Sequence, residues 1–173
     1  MDSNSQKKEN FLNFFKKKNI LCLLIVGFIF ILDRVSKEKI IIYSDSGSQM
    51  FINDFLNLQL VWNTGVGFGL LSFNADIMYH LISFLIAIIL CFIIFLMLKS
   101  AFNIKILFSL ILGGALGNFY DRIVYYAVPD FIDIHYKDFH WFTFNVADIF
   151  ITVGLVLLIF SDFVKDKNKN ENL

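Results

Sequence analysis

Four long apolar runs constrain this chain more than any other feature, because each suits a bilayer better than water. A bilayer-crossing helix needs about 20 mostly apolar residues. Residues 77–98 meet that requirement outright, and residues 104–124 meet it if Lys105 snorkels at one end and Asp121 and Arg122 sit at the other. Residues 142–161 qualify if Asn145 and Asp148 are tolerated near one end. The first run, 19–38, spans only if its helix continues past Leu32 through Asp33. Composition agrees: 57% of the 173 residues are hydrophobic, 22 are Phe, and mean hydropathy is +0.67.

A charged start and a short apolar run also describe a secretory signal peptide. Asp33-Arg34 stands after Leu32 where a small-x-small cleavage site would be needed, so a retained helix is expected. The cations then set orientation. Lys7, Lys8, Lys16, Lys17, Lys18, Lys99, Lys105, Lys165, Lys167 and Lys169 fall on one side, against Arg34, Lys37, Lys39, Arg122 and Lys137 on the other. Both termini, about 1–15 and 165–173, are therefore expected as cytoplasmic tails of one integral membrane domain, 1–173. The segments 40–75 and 125–140 lie outside.

Those outer segments carry strand signals. Leu56, Leu58, Leu60 and Trp62 alternate with polar residues and Val61, and Ile132, Ile134 and Tyr136 alternate with Asp133, His135 and Lys137. The expected fold is an all-α polytopic membrane protein with four transmembrane helices and a small extracytoplasmic β-sheet. Residues 63–69 form a glycine-rich turn region after the first strand.

Ionisable groups inside spans are costly and commonly functional. Topology brings Asp33, Asp121 and Asp148 together at the outer end of the bundle. Residues three apart share a helix face, so Asn118 and Asp121 point one way, as do Asn145 and Asp148. Gly113 and Gly117 offer a face for close helix approach. Two such Asn-x-x-Asp pairs at matching depth suggest two acids sharing one proton, as in aspartic proteases. Asp121 and Asp148 are the expected catalytic acids. Asp33 and Lys37, four apart with the acid first, form an expected structural ion pair.

Other chemistries find less support. Cys22 and Cys91 lie in apolar runs without disulfide or metal spacing. His135 and His140 lie in an outer segment with Asp130, Asp133 and Asp138, from which a His/Asp metal site can be drawn. They and His80 show no metal-ligand spacing and are read as surface polar residues, so no metal or other cofactor is expected. No Gly-x-Ser-x-Gly elbow occurs. The basic residues are too scattered for nucleic acid. A proton- or cation-coupled transporter is the alternative, although the acids cluster at one leaflet and no repeat is visible.

The motifs together resemble lipoprotein signal peptidase, also called signal peptidase II. They are Asp33-Arg34-Val35-Ser36-Lys37, Asn63-Thr64-Gly65-Val66-Gly67-Phe68-Gly69, Gly113 through Arg122, Asp130-Phe131-Ile132-Asp133 and Phe144-Asn145-Val146-Ala147-Asp148. The resemblance implies a bacterial inner-membrane aspartic endopeptidase, expected as a monomer among membrane lipid. It implies Asp121 and Asp148 as the dyad, and Asn63, Gly65, Asn118, Arg122 and Asn145 at the substrate. The implied substrate is a diacylglyceryl prolipoprotein, cut just before its lipidated cysteine at the extracytoplasmic face. Two departures stand out: Trp62 replaces a common Arg, and Pro129 a branched apolar residue.

Overall fold

The computed structural model describes residues 17–44, 50–65 and 75–170. The expected tail 1–15 and the turn residues 66–69 lie outside the described residues. Four helices are long and apolar enough to cross a membrane: α1 (Lys17–Ser44), α2 (Ala75–Lys99), α3 (Phe102–Tyr125) and α4 (Val146–Asn170). Between them lie β1 (Met50–Asn53), β2 (Leu56–Asn63), β3 (Val128–Tyr136) and β4 (Phe139–Phe144), paired antiparallel in the order β1-β2-β3-β4. The two expected strands are the central pair; β1 and β4 extend it on either side.

The helices bury polar groups and present apolar ones outward. Asp33, Lys37, Ser109 and Asp121 are buried, while Leu24, Phe28, Phe84 and Phe160 are exposed. Such an arrangement fits a lipid solvent, which rewards apolar exposure and penalises unpaired polar atoms. A small apolar cluster of Cys22, Val26, Leu90, Met97 and Leu112 joins α1, α2 and α3.

Glycines set the helix spacing. A Cβ on Gly113 would lie 2.8 Å from Ile29 Cβ on α1, and one on Gly117 would overlap Asp33 Oδ2. The Gly113/Gly117 face therefore packs on α1. Gly114 faces the other way, where a Cβ would overlap the Ala147 carbonyl of α4, and a Cβ on Gly154 of α4 would lie 2.6 Å from Ile111 Cγ1. Helix α3 is thus the central element, with one glycine face toward α1 and another toward α4. Gly117→Ala is expected to lower stability by about 1–3 kcal/mol, the range for overpacking. A thermal unfolding shift in detergent checks this.

Several boundaries differ from expectation. The first helix runs on past residue 38 to Ser44, and the last past residue 161 to Asn170, into the expected tail. Residues 142–144 belong to β4, and the last helix begins at Val146. Asp148 is therefore in the first turn of α4, not two turns in. The apolar run misled because Trp141, Phe142 and Phe144 suit a strand as well as a helix. The two departures, Trp62 and Pro129, prove to be cross-strand partners in β2 and β3. Pro129 is buried there, and Trp62 packs on Tyr125 with ring centroids 5.6 Å apart.

Candidate active site

Helix α4 starts with a reciprocal cap. Asn145 Oδ1 accepts from the Asp148 N–H at 3.1 Å, and the Asn145 N–H donates to Asp148 Oδ2 at 3.1 Å. An N-cap residue and the third helical residue satisfying one another is a capping box. Asn145 is thus outside the helix, not on a shared helical face. Asp148 lies where the helix dipole favours negative charge. Another N-terminal amide, that of Ala147, donates to Asp33 Oδ1 at 3.0 Å. Asp33 therefore caps α4 from α1 in addition to its expected pairing with Lys37.

Lys37 is fully buried and joins three side chains. Its Nζ donates to Asp33 Oδ2 at 2.8 Å, Asp121 Oδ2 at 2.7 Å and Asn118 Oδ1 at 2.7 Å. Arg34 Nη1 lies 2.5 Å from Asp121 Oδ1, and its guanidinium stands over the Tyr120 ring at 4.9 Å. Asp121 is thus held between two cations of α1. Asn118 turns its other end to Asp148, donating from Nδ2 to Oδ1 at 2.8 Å. The three intramembrane acids do gather at one end of the bundle, but Asp121 is linked to Asp148 through Lys37 and Asn118 in turn.

A fourth acid stands beside Asp148. Asp130 of β3 is 3% exposed. Its Oδ1 accepts from Asn145 Nδ2 at 2.6 Å, and its Oδ2 from Asn63 Nδ2 at 2.9 Å. Asn145 therefore touches both Asp130 and Asp148. Burial pushes the Asp130 carboxyl above its ordinary value, the two amide donors and Lys37 oppose this, and the charge of Asp148 adds to it. Sequence reasoning quoted Asp130 but gave it no role, since the search for costly acids was confined to the spans. An acid within the buried run Ala127, Val128, Pro129 and Phe131 was the available signal.

The remaining expected site residues surround this pair. Asn63 Oδ1 accepts from the Gly65 N–H at 2.8 Å, closing a turn with Gly65 at φ 77°. Only glycine adopts that conformation readily. A Cβ there would also lie 3.2 Å from Arg122 Nη1. The Arg122 Nε and Nη1 groups are buried without a hydrogen-bond partner among the described residues, while the Arg122 carbonyl accepts from the Tyr79 hydroxyl. On the other side of Asp148 is an apolar cavity of about 260 Å³, lined by Ile134, Phe142, Phe144, Ile149, Thr152 and Val153.

Known proteins share this arrangement of chain. The family described as Signal peptidase (SPase) II matches residues 25–164. A lipoprotein signal peptidase of Pelagibacter ubique is 48% identical over 167 residues, covering 95% of this chain and 98% of that protein. Another, from Francisella tularensis subsp. mediasiatica, is 41% identical over 157 residues, covering 86% and 93%. A solved bacterial membrane enzyme superimposes with a TM-score of 0.67 at 32% identity, covering 86% of this chain and 91% of that one. With the match extending from α1 into α4 and through every motif of the site, this chain belongs to the signal peptidase II family.

Proposed function

We propose that this protein is an aspartic endopeptidase that removes the signal peptide from diacylglyceryl prolipoproteins, with Asp130 and Asp148 as the catalytic pair. Membership of the family makes it a multi-pass peptidase of the bacterial inner membrane, acting on prolipoproteins. That leaves the transporter alternative without support. The observation that carries the choice of acids is Asn145, which holds Asp130 and Asp148 together. Asp121, the acid first expected to pair with Asp148, is instead neutralised by Lys37 and Arg34. Both of its oxygens are engaged by these cations of α1, so its role here is to fix α1 on α3.

The two environments assign roles. Asp148 receives hydrogen bonds from Asn118 and the Asn145 amide at the start of α4, which hold its carboxyl group in place as the general base. Buried Asp130 is the partner that keeps the proton. Asp148 takes a proton from a water molecule while Asp130 polarises and then protonates the oxygen of the scissile carbonyl. Asp148 then gives its proton to the departing nitrogen and the C–N bond breaks. A hydroxyl of the tetrahedral intermediate returns a proton to Asp130 as the C=O bond re-forms, with no covalent enzyme intermediate. Asn118, Asn145 and Asn63 orient the acids, and the unpartnered Arg122 N–H groups suit a substrate carbonyl.

The same asymmetry supports the substrate class. Asp148 borders an apolar cavity, so a lipid-anchored peptide can lay its scissile bond on the acids with apolar groups alongside. The excess of cations on one side supports cytoplasmic termini and an extracytoplasmic site. A gel-shift assay on a lipobox precursor tests the reading. Cleavage is expected with the diacylglyceryl group and not without it; equal cleavage of both forms would overturn the lipid requirement.

A further inference from the structure

The hairpin β3–β4 carries a second polar cluster that the peptidase chemistry does not use. Asp133 and His135 are two apart in β3 and so share a strand face. His140 of β4 is the cross-strand partner of His135, and the two imidazoles stack at 5.3 Å between centroids. One oxygen or nitrogen ligand atom from each of the three residues lies within 4.8 Å of the others. Asp130, three residues from Asp133, falls on the opposite face of the strand. The sequence allowed a His/Asp site to be drawn here but showed no ligand spacing to favour it, because strand pairing rather than helical periodicity assembles the cluster. It also misplaced His135, which is buried rather than a surface residue.

A plain Asp–His hydrogen bond accounts for only half of the group. His140 Nδ1 lies 2.8 Å from Asp133 Oδ2, and His135 Nδ1 is 3.8 Å from the same oxygen. Asp133 Oδ1 and His135 Nδ1 are buried with no hydrogen-bond partner among the described residues. Buried polar atoms ordinarily find partners, and these two belong to residues more than nine-tenths buried. A cation among the three side chains would satisfy both orphans and replace the proton shared by His140 and Asp133.

We infer that Asp133, His135 and His140 form a zinc-class divalent metal site on the outer sheet, separate from the catalytic acids. Two imidazoles and a carboxylate are ligands that zinc favours, with a fourth position left for water. His140, whose side chain is 55% exposed, is the entry side. The metal would tie β4 to β3 and so fix the strand that leads into Asn145.

The test uses the intact, tag-free chain in detergent, stripped with chelator and titrated with zinc chloride by calorimetry. One zinc per chain is expected, with a rise in unfolding temperature. His140→Ala, at the exposed ligand, should fold normally, bind zinc about tenfold or more weakly and lose that thermal rise. Asp133→Asn should weaken binding similarly. Absence of stoichiometric zinc in the wild type, or undiminished binding by His140→Ala, would overturn the site.

Discussion

Asp148→Asn and Asp130→Asn should each lower cleavage of a lipidated precursor by about 10³-fold or more, while the protein still inserts and folds. The amide keeps the shape of the carboxyl group, so the capping box at Asn145 can survive in part. What is lost is the proton traffic. In the wild type, cleavage requires a proton on Asp130, so activity falls as pH rises through the titration of that carboxyl. Burial, with the charge of Asp148 beside it, places that fall above the ordinary range for an aspartate. A flat profile through the weakly acidic and neutral range would contradict the assignment.

Lys37→Met has the second large effect, and it falls on stability. Lys37 is fully buried and bonded to Asp33, Asp121 and Asn118. Removing one member of a buried ion cluster costs about 3–5 kcal/mol, because the remaining charge stays out of water. That is a large part of the stability of an ordinary domain. The expected result is a strong fall in the unfolding temperature of the detergent-solubilised protein. Adding Asp121→Asn to Lys37→Met removes the stranded charge and should restore part of the loss, a coupling that a double-mutant cycle measures. Strict additivity of the two substitutions would deny that Lys37 and Asp121 form one unit.

Much of the architecture was legible in the sequence because the bilayer imposes simple demands. Apolar length identified four spans, period-2 alternation identified β2 and β3, and topology gathered Asp33, Asp121 and Asp148 at one end. The Gly113/Gly117 face was also legible, though its partner is α1 while Gly114 serves α4.

What sequence could not supply is which acids meet. Helical spacing made Asn118/Asp121 and Asn145/Asp148 look like equivalent pairs. The second is a capping box across a helix start, and the first divides its side chains between Lys37 and Asp148. Asp130 enters from a strand, a position that no helical pattern reveals. Its link to Asp148 depends on Asn145, whose side chain reaches 15 residues back along the chain. The two misses have separate causes: Asp130 lay in an outer segment where costly acids were not sought, while the end of β4, residues 142–144, was read as the start of a membrane span.

The most direct measurement is the turnover of purified, correctly folded Asp130→Asn on a lipidated lipobox peptide under single-turnover conditions, with peptide binding measured in parallel. The Asp130–Asp148 pair predicts that the variant binds the peptide nearly as the wild type does and does not cleave it. Cleavage at a rate near that of the wild type would contradict the pair.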